Sequence, residues 1–349
     1  MCDLSSSIPV FVVNDSAYMT NLISDIVKSS DGMHVCGTAM DGKEAMAKIP
    51  LEKPRVILTD LEMPHMDGLS LIQNILAENL IPIIVVSSYA KEGAKIVFDA
   101  LEFGAVDYAL IPENIMDITS FSEELINKIN TASNSNPVKL ITNKINSFPK
   151  KTSVVLNDEI SKTLVVIGSS TGGPSAVSKV FETLPDDLPA CILLVQHMSK
   201  GFTLDFARRL DKICPLHIKE AQTGDKIRDG TVLVAPGDFH MVVNPDGTIS
   251  LVSETKRYGV RPSVNKTMIS GCEHFGINTI GVIMTGMGHD GAFGMKSIKK
   301  RGGKTIAQDE DSSVVFGMAK SSCELKAVDK LVSLENISSA IVRTVNDNV

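Results

Sequence analysis

The sequence predicts an α/β protein built from two doubly wound parallel sheets, and three observations carry that expectation. Short runs rich in Val, Ile and Leu, such as PVFVV at 9–13 and CILLVQ at 191–196, alternate with helical patterns. Strands covered on both faces of a parallel sheet read as continuous apolar runs of this kind. The length of 349 residues suits two domains of ordinary size. A stretch rich in Ser, Asn and Lys at 131–162 interrupts the alternation and reads as a linker. The expected division is therefore 1–130, a linker over 131–162, and 163–349.

In the first domain, strands are expected at 9–13, 55–58, 81–87 and 106–111. Helical patterns lie near 17–29, 43–49, 68–78, 91–103 and 120–130, and the alternation is read as five β-α units, four of whose strands show as apolar runs. Alternation resumes with TLVVIG at 163–168, a helix near 173–183, a strand at 190–196 and a helix near 203–212. TVLVAP at 231–236 is a strand, and MVVNPDGTISLV at 241–252 reads as an antiparallel hairpin turned by Pro-Asp-Gly. A helix near 263–275 precedes the strand NTIGVIMTG at 278–286, and a further helix from about 291 ends at RGG, where glycine suits the C-cap. TIAQ at 305–308, AVDKLV at 327–332 and a last helix close the chain.

Composition excludes several classes. At 43% hydrophobic and 21% charged residues, the chain is globular, and no apolar run approaches a membrane span. The N-terminus lacks the basic and apolar regions of a signal peptide. The six cysteines form no C-x-x-C pair, which favours reduced thiols in a cytosol over a zinc site or disulfide frame. Residues 1–130 carry 19 acidic and 8 basic side chains, a balance unsuited to nucleic acid, and the rest is near neutral.

Open parallel sheets bind ligands at the carboxyl ends of their strands. In the first domain those ends carry Asn14 and Asp15, then Asp60 within ILTDLEMPHMDG, then Ser87 and Ser88. Two carboxylates at one sheet edge repel unless a cation separates them, and hard oxygen ligands suit Mg²⁺. A carboxylate beside Mg²⁺ can attack a phosphoryl group, and a hydroxyl one strand away can bond its oxygens. Strand ends are polar in many proteins because Asp and Asn favour turns. Here, however, LEMPHMDG and GAVDY occur together, and over about 120 residues the segment resembles the receiver domain of two-component response regulators. The resemblance implies a flavodoxin-like fold, with Asp60 as phosphoacceptor, Asp15 and Asp60 as Mg²⁺ ligands and Ser87 as the switch hydroxyl. It also marks two departures. Asn14 stands where receivers usually have a first acid, and Ile111 stands where they usually have a lysine before the proline of ALIPEN.

In the second domain, GSSTGG at 168–173 lacks the lysine of a phosphate-binding loop and the spacing of a dinucleotide fingerprint. Gly168-Ser169-Ser170-Thr171-Gly172 does fit G-x-S-x-G, a serine on a sharp strand-to-helix turn. That pattern is weak alone, since small residues often pack at such junctions. A nucleophilic serine needs an imidazole base and a group that orients it. His197 follows the strand ending in Gln196, and Asp290 lies in MTGMGHDG beyond another strand, so all three stand past carboxyl ends of one predicted sheet. The order Ser, His, Asp differs from that of α/β-hydrolases. His289 is adjacent to Asp290 and a poor partner for it, His240 in APGDFHM could line the cleft, and His34, His65, His217 and His274 have no motif context.

The segments GSSTGGP, QHMSKGFT, APGDFHM, RPSV, TGMGHDGA and AQDEDSSVVFGM, in this order, resemble the protein-glutamate methylesterase domain of chemotaxis response regulators. With the receiver, the resemblance spans nearly the whole chain. It implies Ser170 as nucleophile, His197 as base, Asp290 as orienter and an oxyanion hole at the Met287 N–H. It implies hydrolysis of glutamyl methyl esters and deamidation of glutamines on methyl-accepting chemoreceptors, with no metal in this domain. It further implies restraint by the receiver until a histidine kinase supplies phosphate, in the cytoplasm and without membrane insertion. Ala319 replaces a usual proline, read as a loop change without catalytic meaning. The alternatives are a receiver-containing docking regulator without turnover, and an esterase of another substrate.

Overall fold

The computed structural model describes residues 7–88, 93–112, 114–135, 159–255 and 260–348. The chain divides into two compact units, Met1–Lys144 and Ile145–Val349.

The first unit is a five-stranded parallel sheet in the order β2-β1-β3-β4-β5. Its strands are β1 (Ile8–Val13), β2 (Met33–Ala39), β3 (Val56–Thr59), β4 (Ile83–Ser88) and β5 (Asp107–Ile111). Five helices follow them: α1 (Ala17–Lys28), α2 (Gly42–Glu52), α3 (Gly68–Glu78), α4 (Gly93–Glu102) and α5 (Ile118–Ser133). The strand β2, MHVCGTA, escapes a search for apolar runs because it is an edge strand whose interior residues are only half-buried. The helix α5 continues to Ser133, so 131–133 are helix rather than linker, and 136–158 lie outside the described residues.

The second unit has a seven-stranded parallel sheet in the order β14-β13-β12-β6-β7-β9-β8 and a separate antiparallel hairpin, β10-β11. Its strands are β6 (Leu164–Ser169), β7 (Cys191–Gln196), β8 (His217–Glu220), β9 (Thr231–Val234), β10 (His240–Val243), β11 (Ile249–Val252), β12 (Thr279–Ile283), β13 (Lys304–Gln308) and β14 (Lys330–Val332). Its helices are α6 (Gly173–Glu182), α7 (Phe202–Ile213), α8 (Val264–Phe275), α9 (Ala292–Lys300), α10 (Met318–Glu324) and α11 (Leu334–Asn346). Central β6 and β7 are buried at every residue, which is why they read so clearly as apolar runs. The edge strand β8, HIKE, carries no such signal. The hairpin pairs His240 with Val252 and Val243 with Ile249. Ser161, within the expected linker, already bonds to the second unit: its N donates to Ile227 O at 2.8 Å and its hydroxyl bonds Asp229.

The chain leaves β6 toward β7 on one side, while β12 lies on its other side. The direction of winding therefore reverses between β6 and β12. Crevices at such reversals, beyond the carboxyl ends of the strands, are where open α/β sheets place ligands.

Candidate functional site

Ser170 is the first residue past β6, at that reversal. Its N–H donates to Thr285 O beyond β12 at 3.0 Å, and its carbonyl accepts from Gly173 N at 2.8 Å as α6 begins. Gly172 makes the turn at φ 73°, a left-handed conformation that glycine adopts without steric cost. The two strand ends approach so closely that a Cβ on Gly286 would lie 2.8 Å from the Ser170 Cβ. Met287, the next residue, is 40% exposed at the same edge.

His197 is the first residue past β7, and its N–H donates to Ser169 O at 3.0 Å. Its Nε2 meets Asp290 Oδ2 at 2.9 Å, with the His197 side chain 11% exposed and that of Asp290 3%. The carboxylate of Asp290 also accepts from Val264 N (2.7 Å), Asn265 N (3.0 Å), Gly291 N (3.0 Å) and Ser263 Oγ (2.9 Å). It thus sits on the N-terminus of α8, taking up N–H groups that a local cap would satisfy. Ser263 occupies the N-cap position but makes no cap bond with its own helix. Burial pushes the Asp290 carboxyl toward higher pKa, but the His197 ring and the Asn265 and Val264 N–H groups outweigh it and hold it below the usual value.

The structure thus brings His197 and Asp290 together and places Ser170 on the adjoining strand end. No hydrogen bond joins Ser170 Oγ to the His197 ring among the described residues. Such contacts commonly tighten only when substrate binds. His289 is exposed. His240 does not line the cleft: it is fully buried at the start of β10, with Nε2 3.2 Å from Thr255 O. Burial holds its pKa below the usual imidazole value. Ala319 lies in the first turn of α10 and not in a loop. That is a position where proline is also tolerated, so the exchange leaves the backbone path unchanged.

Sequence reasoning missed the residues that brace these groups. Ser263 was visible only as part of RPSV. Gln196 and Gln308 look like ordinary strand ends, yet Gln308 Oε1 accepts from Thr285 N at 2.8 Å and Gln196 Nε2 donates to Ser170 O at 2.9 Å.

In the first unit, β1 and β3 pair with Val13 opposite Thr59, which sets Asn14 beside Asp60. Asp60 Oδ1 accepts from Leu61 N at 2.7 Å, and Oδ2 accepts from Asn14 Nδ2 at 3.1 Å. Gly68 of the MDG segment is required by packing, because a Cβ there would lie 2.1 Å from Asp60 O. Burial raises the Asp60 pKa, and the charges of Asp15 and Glu62 add to it against the N–H groups of Leu61 and Glu62. Asp15 is exposed beside it, Ser87 is buried on β4, and Ile111 ends β5 half-buried. A hard cation relieves a buried carboxylate with acidic neighbours, so the donor set fits Mg²⁺. No cluster of three or more His, Cys, Asp or Glu able to hold a metal occurs among the described residues. A cation here would therefore take the rest of its shell from carbonyls and water, as Mg²⁺ usually does. The five described cysteines form no disulfide, and no described helix is long and apolar enough to cross a membrane.

Both units match known protein families. Residues 165–341 match the CheB methylesterase family, and residues 10–120 match the response regulator receiver domain. A protein-glutamate methylesterase/protein-glutamine glutaminase of Pyrococcus abyssi is 42% identical over 344 residues, covering 97% of this chain and 94% of that protein. A protein of the same name from Halalkalibacterium halodurans is 41% identical over 350 residues, covering 97% of this chain and 99% of that one. The crystal structure of the Thermotoga maritima CheB methylesterase catalytic domain is 41% identical, covers 53% of this chain and 99% of its own, and superposes with a TM-score of 0.51. By full-length identity and by both domain matches, the chain belongs to the CheB family of chemotaxis methylesterases carrying a response regulator receiver domain.

Proposed function

We propose that this protein hydrolyses glutamyl methyl esters, and deamidates glutamines, on chemoreceptors through Ser170, His197 and Asp290, within a catalytic domain of residues 163–349. The observation that carries the reading is the His197–Asp290 pair, 2.9 Å long and seated on a helix N-terminus beside the Ser170 turn. Asp290 holds Nε2, so Nδ1 is the ring nitrogen left to serve as base. Ser170 Oγ attacks the ester carbonyl carbon as its proton passes to His197. The tetrahedral oxyanion is taken by the Met287 N–H. The imidazolium then protonates the leaving oxygen, and methanol departs from the acyl-enzyme; from glutamine, ammonia departs instead. Water, deprotonated by His197, attacks the acyl carbon and releases the glutamate carboxylate and the Ser170 hydroxyl. Asp290 keeps its charge throughout and stabilises the imidazolium.

In the receiver, Asp60 accepts phosphate from a histidine kinase, and Ser87 bonds the phosphoryl oxygens. Asp15 and Asp60 would hold Mg²⁺, which supplies positive charge against the phosphoryl oxygens. The absence of a disulfide among the described cysteines and the kinase–receptor partnership support a cytoplasmic location. The test is methanol release from methylated receptor membranes. Ser170→Ala is expected to remove nearly all of it, and a Ser170→Ala protein with most of its activity would exclude the assignment.

A further inference from the structure

We propose that Gln196 is a positioning residue of the esterase, a side-chain clamp that holds the backbone of the nucleophile and of the base in one fixed relation. The proposal rests on the reading of Ser170 and His197 given above.

Gln196 is the last residue of β7 and only 2% exposed. Its Nε2 donates to two carbonyls, Ser170 O at 2.9 Å and His197 O at 3.1 Å. Its Oε1 accepts from Ser169 Oγ at 2.6 Å. The amide orientation follows from chemistry, because both carbonyls are acceptors only and require the NH₂ end. The Ser169 hydroxyl, by donating to Oε1, turns that NH₂ end toward them. One buried amide therefore ties together three consecutive elements of the site: Ser169, the Ser170 peptide and the His197 peptide.

The last glycine of GSSTGG fits the same device. Gly173 has no positive φ and makes no turn of its own. A Cβ there, however, would lie 2.1 Å from Gln196 Oε1. The space a side chain would take is occupied by the glutamine. On the opposite side of Ser170, Gln308 Oε1 holds Thr285 N at 2.8 Å, and Thr285 O holds Ser170 N at 3.0 Å. Beyond the ends of the strands, two glutamine side chains thus continue the hydrogen-bond ladder from β13 to β7. The nucleophile's own peptide units are gripped at both N–H and C=O. That preorganisation acts on the reacting geometry rather than on substrate affinity, and misplacement of reacting groups by about 1 Å can cost on the order of 100-fold in rate.

The test uses the full-length protein with Gln196→Met, which keeps length and removes both amide functions. Turnover and KM are measured for methanol release from methylated receptor membranes, alongside the rate at which a fluorophosphonate labels Ser170. The expected result is a kcat lower by about 10- to 100-fold, with labelling slowed in parallel and KM changed by less than about twofold. A folded Gln196→Met protein with wild-type kcat, or with a loss confined to KM, overturns the clamp. If Gln196→Met fails to fold, Ser169→Ala replaces it: loss of the hydroxyl frees the amide to rotate, and kcat is expected to fall severalfold at constant KM. An unchanged kcat in Ser169→Ala overturns the proposal equally. Ser170→Ala, run in parallel, separates the two ideas: its inactivity with an active Gln196→Met removes the clamp alone, whereas its activity removes the serine mechanism itself.

Discussion

Asn14 donates its side-chain amide to Asp60 Oδ2 at 3.1 Å, while its own Oδ1 accepts from Ser16 N at 2.9 Å. An amide thus stands where an acid would strengthen cation binding, and it occupies the oxygen on the candidate phosphoacceptor. Asn14→Asp removes the donor and adds a third carboxylate. Calorimetric titration with MgCl₂ is expected to show binding tightened by about tenfold, or about 1.4 kcal/mol. Equal or weaker binding would show that Asn14 does not limit the site.

The raised Asp60 pKa has a definite sign for stability. The folded receiver binds the Asp60 proton more readily than the unfolded chain, chiefly because the group is buried and secondarily because of Asp15 and Glu62. The penalty for ionising it is absent below the unfolded pKa and fully present above the folded one. Asp15→Asn is therefore expected to lower the Asp60 pKa, read from its carboxyl carbon by NMR. It should also raise the receiver's Tm at neutral pH, with the gain shrinking as pH falls through the Asp60 titration. An Asp60 titration unmoved by Asp15→Asn would remove Asp15 from the causes and leave burial and Glu62.

Ile111 offers no charge to a phosphoryl group at the end of β5. Lys128 lies at the other end of that strand, bound by Asp107 Oδ1 at 3.2 Å and Glu124 Oε1 at 2.8 Å. Burial disfavours its charge, but those two carboxylates hold its pKa well above the usual lysine value. It is therefore a fixed structural cation. Lys91, which follows the fourth strand in the sequence and could supply a charge instead, lies outside the described residues. A small phosphodonor is expected to activate the wild-type esterase weakly and Ile111→Lys more strongly. Strong wild-type activation that Asp60→Asn abolishes would show the lysine to be dispensable.

Asp290 combines catalysis with structure. Asp290→Asn presents an amide to donors on α8 and to His197, so the imidazole loses its fixed tautomer. Activity is expected to fall by on the order of 10³- to 10⁴-fold, and stability by about 1–3 kcal/mol for buried groups left unpaired. Urea unfolding and methanol release measure the two losses. Because the Asp290 pKa is lowered, its contribution to stability is present above the unfolded carboxyl pKa and disappears as pH falls through the folded one. Wild-type and mutant stabilities should therefore converge in acid.

Strand–helix alternation carried most of the fold, because β1, β3, β4, β6, β7 and β12 are buried on both faces and so are apolar over most of their length. Edge strands β2 and β8 face solvent in part, so their composition is mixed and they were hidden. Ser170, His197 and Asp60 could be named from the sequence because each immediately follows such a strand. The hydrogen bonds that brace them could not. Asp290 takes backbone donors from α8, up to 26 residues earlier in the chain, through an N-terminus that only folding brings under its carboxylate. Gln196 reaches the Ser170 carbonyl across 26 residues, and Asn14 reaches Asp60 across 46. Local periodicity reports which face of an element is buried. Hydrogen bonds between distant strand ends depend on sheet order and register, which arise only when the strands assemble.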